Sequence, residues 1–92
     1  MQGNPNPGAA LPSDREDFED RAVLGVLLSY HPGAVEFGDL VRELVDAQEN
    51  PNLTAATVQD GVARLVGAGL AYRQGRFIVA SRAAVRGDEL SL

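Results

Sequence analysis

Cysteine, tryptophan and lysine are absent from this 92-residue chain, and histidine occurs once, as His31. Without cysteine the chain forms neither disulfides nor thiolate metal sites, and it holds no cysteine nucleophile. A single histidine cannot make a histidine pair for acid–base catalysis, and no carboxylate pair stands in a catalytic sequence context. We therefore expect a protein that is not an enzyme and that uses no metal or other cofactor.

Long apolar runs and targeting signals are lacking as well. The longest apolar stretch covers residues 22–28, whereas a membrane-spanning helix needs about 20 residues. Residues 1–8 contain neither the basic nor the apolar segment of a signal peptide. With 45% hydrophobic and 23% charged residues, the chain has the composition of a folded domain. These features predict one small cytoplasmic domain without a membrane partner.

Charge is unevenly distributed along the chain. The net charge is −5, and all eight basic residues are arginines. Residues 1–60 hold eleven acidic residues against three arginines, a balance of −8, whereas residues 61–92 hold five arginines against two acidic residues, a balance of +3. The basic C-terminal third favours an anionic partner on one face, while the acidic total disfavours a general polyanion binder.

Periodicity and turn residues divide the chain into a disordered tail, residues 1–12, and one domain, residues 13–92. A capping box of Ser13 and Glu16 predicts where the first helix begins, and His31-Pro32-Gly33 predicts its end. The predicted elements are a helix from Ser13 to Tyr30, a strand over 34–37, helices over 38–49 and 54–67, a hairpin over 70–80, and a short helix over 81–85 that Gly87 ends. The helix over 54–67 is predicted to have Thr54 as its N-cap and to bury Val58, Val62, Leu65 and Val66.

The hairpin is predicted to turn at Gln74-Gly75, with a positive φ at Gly75. In this register the larger apolar side chains of both strands face the core, and two arginines project together from the other face. The predicted pairs are Arg73 with Arg76, Tyr72 with Phe77, Ala71 with Ile78 and Leu70 with Val79.

The first helix is apolar nearly all round over residues 22–28. Such a segment is buried on more than one side. Two short helices and one hairpin offer little surface to cover it, and small folds with little core often gain stability by association. The segment therefore predicts a homodimer formed through residues 22–28.

The order of helix, short strand, helix, helix and hairpin resembles a winged helix-turn-helix domain. The closest part is Thr54-x-x-Thr57-Val58-x-x-x-Val62-x-x-Leu65-x-x-x-Gly69-Leu70, followed by a strand, Gln74-Gly75 and a second strand. This pattern is similar to the recognition helix and wing of bacterial winged-helix regulators, and the resemblance covers about residues 14–86. It implies a mainly α fold with a small β element, namely a three-helix core plus a β-hairpin wing. The link over 48–53 departs from the pattern, because it is longer than the tight turn of the simplest helix-turn-helix.

The resemblance implies a DNA-binding transcriptional regulator whose third helix enters the major groove while the wing holds the backbone. Thr57 would contact phosphate, and Gln59 would read a base edge, for which adenine is the usual partner of glutamine. Arg64 would assist from the helix. The predicted DNA-binding residues are Thr57, Gln59, Arg64, Arg73 and Arg76.

A second function stays open, because winged helices also serve as protein–protein interaction modules without DNA binding. Asp60 would face the phosphates of a bound duplex, and the third helix is rich in alanine. In this alternative the acidic first two helices, or the apolar half of the first helix, bind a protein partner. Arg73 and Arg76 are then a solubilising pair. A base-stacking platform of Tyr72 and Phe77 is also open, although their alternation favours a core pair.

Overall fold

The computed structural model describes residues 12–46 and 53–90. This part of the chain is mainly helical and carries a small three-stranded antiparallel sheet in the order β1-β3-β2. Residues 1–11 of the predicted tail and Gln48 lie outside the described residues. The same holds for the side chain of Ser13, so the predicted capping box with Glu16 is not described. The elements are α1 Pro12–Tyr30, β1 Val35–Glu36, α2 Phe37–Val41 with a π-helical continuation Arg42–Asp46, α3 Ala55–Gly67, β2 Ala71–Gln74, β3 Phe77–Ala80 and α4 Arg82–Leu90.

The core lies where α1 packs against α3 and against β3. Val23 and Leu27 of α1 are fully buried there, together with Val58 and Val62 of α3. Within the apolar segment 22–28, Val23, Val26 and Leu27 are therefore buried by this chain itself, whereas Ala22, Leu24 and Leu28 are partly buried. The homodimer through residues 22–28 stays a prediction.

A glycine sets the distance between α1 and α3. A Cβ built on Gly61 would lie 3.2 Å from Cγ2 of Val23 and 3.5 Å from Oδ1 of Asp20. Gly61 is buried in α3, where a side chain would push the two helices apart. Val66, which was predicted to be buried, is instead exposed.

Both ends of α3 follow the prediction. At the N-terminus, Oγ1 of Thr54 accepts from the amide of Thr57 at 3.2 Å, and Oγ1 of Thr57 accepts from the amide of Thr54 at 2.8 Å. This reciprocal pair is a capping box in which threonine takes the second position. At the C-terminus, Gly69 has a φ of +78°. The amide of Leu70 then reaches the carbonyl of Leu65 at 2.9 Å, as in a Schellman motif.

The hairpin turns one residue later than predicted. Gly75 and Arg76 form the turn, so the predicted pairs of Arg73 with Arg76 and of Tyr72 with Phe77 are wrong. Gly75 has a φ of +61°, which confirms the predicted sign. Glycine occupies the first central position of the turn, where types I′ and II′ both need a positive φ. The observed pairs are Ala71 with Ala80, Tyr72 with Val79, Arg73 with Ile78 and Gln74 with Phe77.

The side of the sheet that faces the core also differs from the prediction. Ile78 is fully buried, and Ala71 and Ala80 beside it are buried too. Tyr72 and Phe77 point the other way and are 63% and 47% exposed. Small alanines let the sheet lie close to α1 and α3, so one isoleucine fills the space that the prediction gave to two aromatic rings.

Ser81 joins the end of α3 to the start of α4. Its hydroxyl donates to the carbonyl of Gly69 at 2.8 Å and accepts from the amide of Ala84 at 3.2 Å, so Ser81 is the N-cap of α4. Its own amide donates to the carbonyl of Leu70 at 3.0 Å. Gly87 does not end α4, because its φ is not positive and the helix continues to Leu90.

Candidate nucleic-acid interface

Arg73 connects the hairpin to α3. Its Nη1 donates to Oε1 of Gln59 at 2.8 Å, and its Nε donates to the carbonyl of Gly75, also at 2.8 Å. The guanidinium carbon lies 5.2 Å from the ring centroid of Phe37, within cation–π range. These partners are all neutral. Within the described residues no carboxylate therefore pairs with the positive charge of Arg73, while the three contacts fix its orientation.

Arg76 lies in the hairpin turn and has a charged partner. Its Nε is 2.9 Å from Oε2 of Glu36, and its guanidinium carbon is 5.7 Å from the centroid of Phe77. The Arg76 side chain is 72% exposed. An ion pair this exposed contributes about 0–1 kcal/mol, so an incoming phosphate can replace the carboxylate at little cost.

Arg64 faces α1 and not the hairpin. Its Nε is 2.9 Å from Oδ1 of Asp20, its Nη2 is 2.9 Å from Oε1 of Glu19, and its Nη1 is 4.0 Å from Oε2 of Glu16. Burial alone would lower the pKa of Arg64, but the hydrogen bonds to Glu19 and Asp20 outweigh burial and raise that pKa above its ordinary value. The contacts tie α3 to the acidic half of α1, so we assign Arg64 a structural role. Its partners lie 44 and 45 residues away in sequence, beyond the reach of any local pattern.

Thr57 also has a structural role, because its hydroxyl is used within the α3 cap. Besides accepting from the Thr54 amide, it donates to the Thr54 carbonyl at 3.0 Å. Asp60 lies on the α1 side of α3, where it lines a shallow groove together with Arg15 and Arg64. Gln59, one position earlier, is the residue of this helix that meets the hairpin. The carboxylate and the amide of neighbouring residues are thus directed to different sides of α3.

The structure brings two of the five predicted DNA-binding residues, Gln59 and Arg73, together where α3 meets the hairpin. Arg76 lies in the hairpin turn beside Glu36 of β1, whereas Thr57 and Arg64 are committed to the cap and to α1. Sequence reasoning missed Phe37, which supports the Arg73 guanidinium. The sequence prediction placed Phe37 at the end of the strand over 34–37, whereas Phe37 is the first residue of α2.

Comparisons with known protein families, with curated proteins and with solved structures found no match. The described residues contain no group of three or more side chains suited to hold a metal ion. In the same part of the chain, no helix is both long and apolar enough to cross a membrane.

Proposed function

We propose that this chain is a winged-helix DNA-binding protein, a transcriptional regulator that contacts duplex DNA through α3 and the hairpin. The observation that carries the proposal is Arg73, a cation held by neutral partners at the junction of these two elements. The element order and the sheet order β1-β3-β2 support the winged-helix part of the proposal, since the hairpin directly follows the third helix.

The contacts of Arg73 leave donors for DNA. A guanidinium has five N–H groups, and the hydrogen bonds of Arg73 to Gln59 and Gly75 use two of them. The rest of Nη1 and all of Nη2 can bind a phosphate without breaking an ion pair. Gln59 is exposed beside it and would carry base readout, while Arg76 adds a second backbone contact from the turn.

A duplex titration tests this function. Fluorescence anisotropy of a labelled duplex at ~50 mM salt should show binding, with Kd on the order of 10⁻⁴ to 10⁻⁶ M for non-specific sequence.

Arg73→Ala should weaken binding on all sequences and reduce the salt slope by about 1. Asp60→Asn should tighten binding modestly, because it removes a negative charge from α3. Arg86→Ala on α4 is the matched control, since it removes an equal charge from a different element.

A protein–protein interaction module is the second candidate, and two observations favour it. Arg64 and Arg76 are already paired with carboxylates, which lowers the charge available to DNA. Phe18 is 47% exposed on the acidic half of α1, next to Asp17. In the apolar half of α1, Val23 and Leu27 are fully buried, so a protein partner would contact the partly buried Leu24 and Leu28. If neither the parent chain nor Asp60→Asn binds the duplex, duplex binding is excluded and the acidic face with Phe18 is the surface to pursue.

A further inference from the structure

We propose that the outer face of the hairpin is a site for single-stranded nucleic acid, where unpaired bases stack on Tyr72 and Phe77. The site lies on the opposite side of the sheet from the core. It shares Arg76 with the proposed duplex interface, but its stacking side chains, Tyr72 and Phe77, are not part of that interface. Stacking on these rings therefore does not depend on the proposed duplex binding.

The register places the two rings next to each other. Tyr72 pairs with Val79 across the hairpin, and Phe77 precedes Val79 by two residues on the same strand. Tyr72 and Phe77 are thus diagonal neighbours on one face, and such positions lie about 7–8 Å apart. Two rings at this spacing, fixed by a paired backbone, can each take one base of an extended strand.

The rings of Tyr72 and Phe77 do not belong to the hydrophobic core. They are 63% and 47% exposed, and Phe18 and Tyr30 of α1 are exposed to a similar extent, at 47% and 45%. What distinguishes Tyr72 and Phe77 is that they are neighbours on one face of a paired sheet. An aromatic side chain offers about 150–250 Å² when buried, so the exposed parts of Tyr72 and Phe77 sum to about 200 Å². A standard protein interface buries about 800 Å² on each partner. The two rings supply about a quarter of that area, whereas each ring is large enough for one base to stack on it.

The polar groups around the rings match a nucleic-acid strand. The guanidinium of Arg76 lies 5.7 Å from the centroid of Phe77, where it can contact the phosphate beside a base stacked on that ring. Glu36, opposite Phe77 on β1, is paired with Arg76, and a phosphate that binds Arg76 has to displace this exposed carboxylate. Gln74, the cross-strand partner of Phe77, is exposed and offers an amide to a base edge. Aromatic rings beside a cation are the combination that binds single strands without strong sequence preference.

Only unpaired bases can use this face. Within a duplex both faces of each base are covered by its neighbours, so a ring on a rigid sheet reaches a base face only when the base is unstacked. Single strands, frayed ends and loops supply such bases, in DNA and RNA alike.

Tyrosine fluorescence gives a direct test, because the chain has no tryptophan and only two tyrosines, Tyr30 and Tyr72. In the full chain carrying Tyr30→Phe, Tyr72 is the single emitter. Titration with a thymidine 12-mer should quench its emission to saturation. A 12-mer of abasic nucleotides carries the same charge and should bind at least tenfold more weakly. A uridine 12-mer tests whether RNA binds as well as DNA.

Two substitutions separate stacking from apolar bulk. Tyr72→Leu and Phe77→Leu should each weaken binding of a labelled thymidine 12-mer by about 5- to 150-fold, the range expected for one lost base–aromatic stack. Tyr72→Phe should keep the parent affinity. Both side chains are largely exposed, so the variants are expected to fold, and circular dichroism checks this.

Three results would overturn the proposal: no binding of the thymidine 12-mer, equal binding of the abasic strand, or affinity within twofold of the parent for Tyr72→Leu. The duplex titration fails or succeeds separately. If the chain binds the duplex but not the thymidine 12-mer, only the single-strand site is excluded. If it binds the thymidine 12-mer but not the duplex, only the proposed duplex function is excluded.

Discussion

The turn residue Gly75 shows how much one backbone angle specifies. Its φ of +61° falls in the left-handed region that a β-branched residue avoids, and the position where its Cβ would be is open. Gly75→Val should therefore lower the free energy of unfolding by about 1 kcal/mol or more through backbone strain alone. Gly75→Asn should cost less, because asparagine tolerates this conformation. Thermal unfolding of both variants measures the difference, and equal melting of both with the parent would contradict the observed turn.

Arg64 is the residue whose removal should affect stability most among the arginines with described ion pairs. Arg64→Met leaves the carboxylates of Glu19 and Asp20 partly buried without their cation, which should cost about 1–2 kcal/mol. Because its pKa is raised, the contribution of Arg64 is fully present below the ordinary arginine pKa and is lost only at strongly alkaline pH. Urea unfolding at neutral pH measures this effect.

The control for Arg64 is Arg86→Met on α4. Arg86 lies 3.8 Å from Glu89, and both side chains are well exposed, so its removal should change stability by less than about 0.5 kcal/mol. A similar loss for both variants would mean that general charge balance, and not the contact between α3 and α1, supplies the stability.

At the scale of elements, the contact between α1 and α3 depends on the absence of a side chain at Gly61. Gly61→Leu should destabilise the fold by about 1–3 kcal/mol, because the new atoms overlap Val23 and disturb Asp20. Gly25→Leu is the matched control on α1, where no atom lies within 4 Å of the added Cβ. It should be neutral or stabilising, since leucine favours the helix more than glycine. Denaturant titration of the pair tests whether close approach at Gly61 is specific.

The ends of α3 were predictable and the face of the hairpin was not, for a physical reason. Caps are local: Thr54 and Gly69 act on amides and carbonyls within a few residues. The predicted and observed hairpin registers differ by two positions in strand pairing, so both keep the same alternation of side chains. Only tertiary packing decides which face is inward. A glycine in the first turn position was a usable local signal, because type II′ turns place Gly there.

Over the whole molecule, the uneven charge of the sequence is partly cancelled in space. Arg64 and Arg76 come from the basic third, and their partners Glu19, Asp20 and Glu36 come from the acidic part. The sequence therefore predicted a basic surface larger than the one that exists. What remains of it includes Arg73, Arg82 and the exposed Arg86. No pattern in the sequence identifies the neutral partners of Arg73, because Gln59 lies 14 residues away.

Ser81 has a consequence for how the C-terminal half of the molecule opens. Its hydroxyl and backbone bond to the loop after α3 and to the first turn of α4, and it is almost completely buried. Separating α4 from that loop would break the hydrogen bonds of Ser81 together and leave several polar atoms without partners. A state in which α4 alone has separated is therefore higher in free energy than one in which this whole region has unfolded. The exit of α3, the hairpin base and α4 should consequently unfold together as a single cooperative unit.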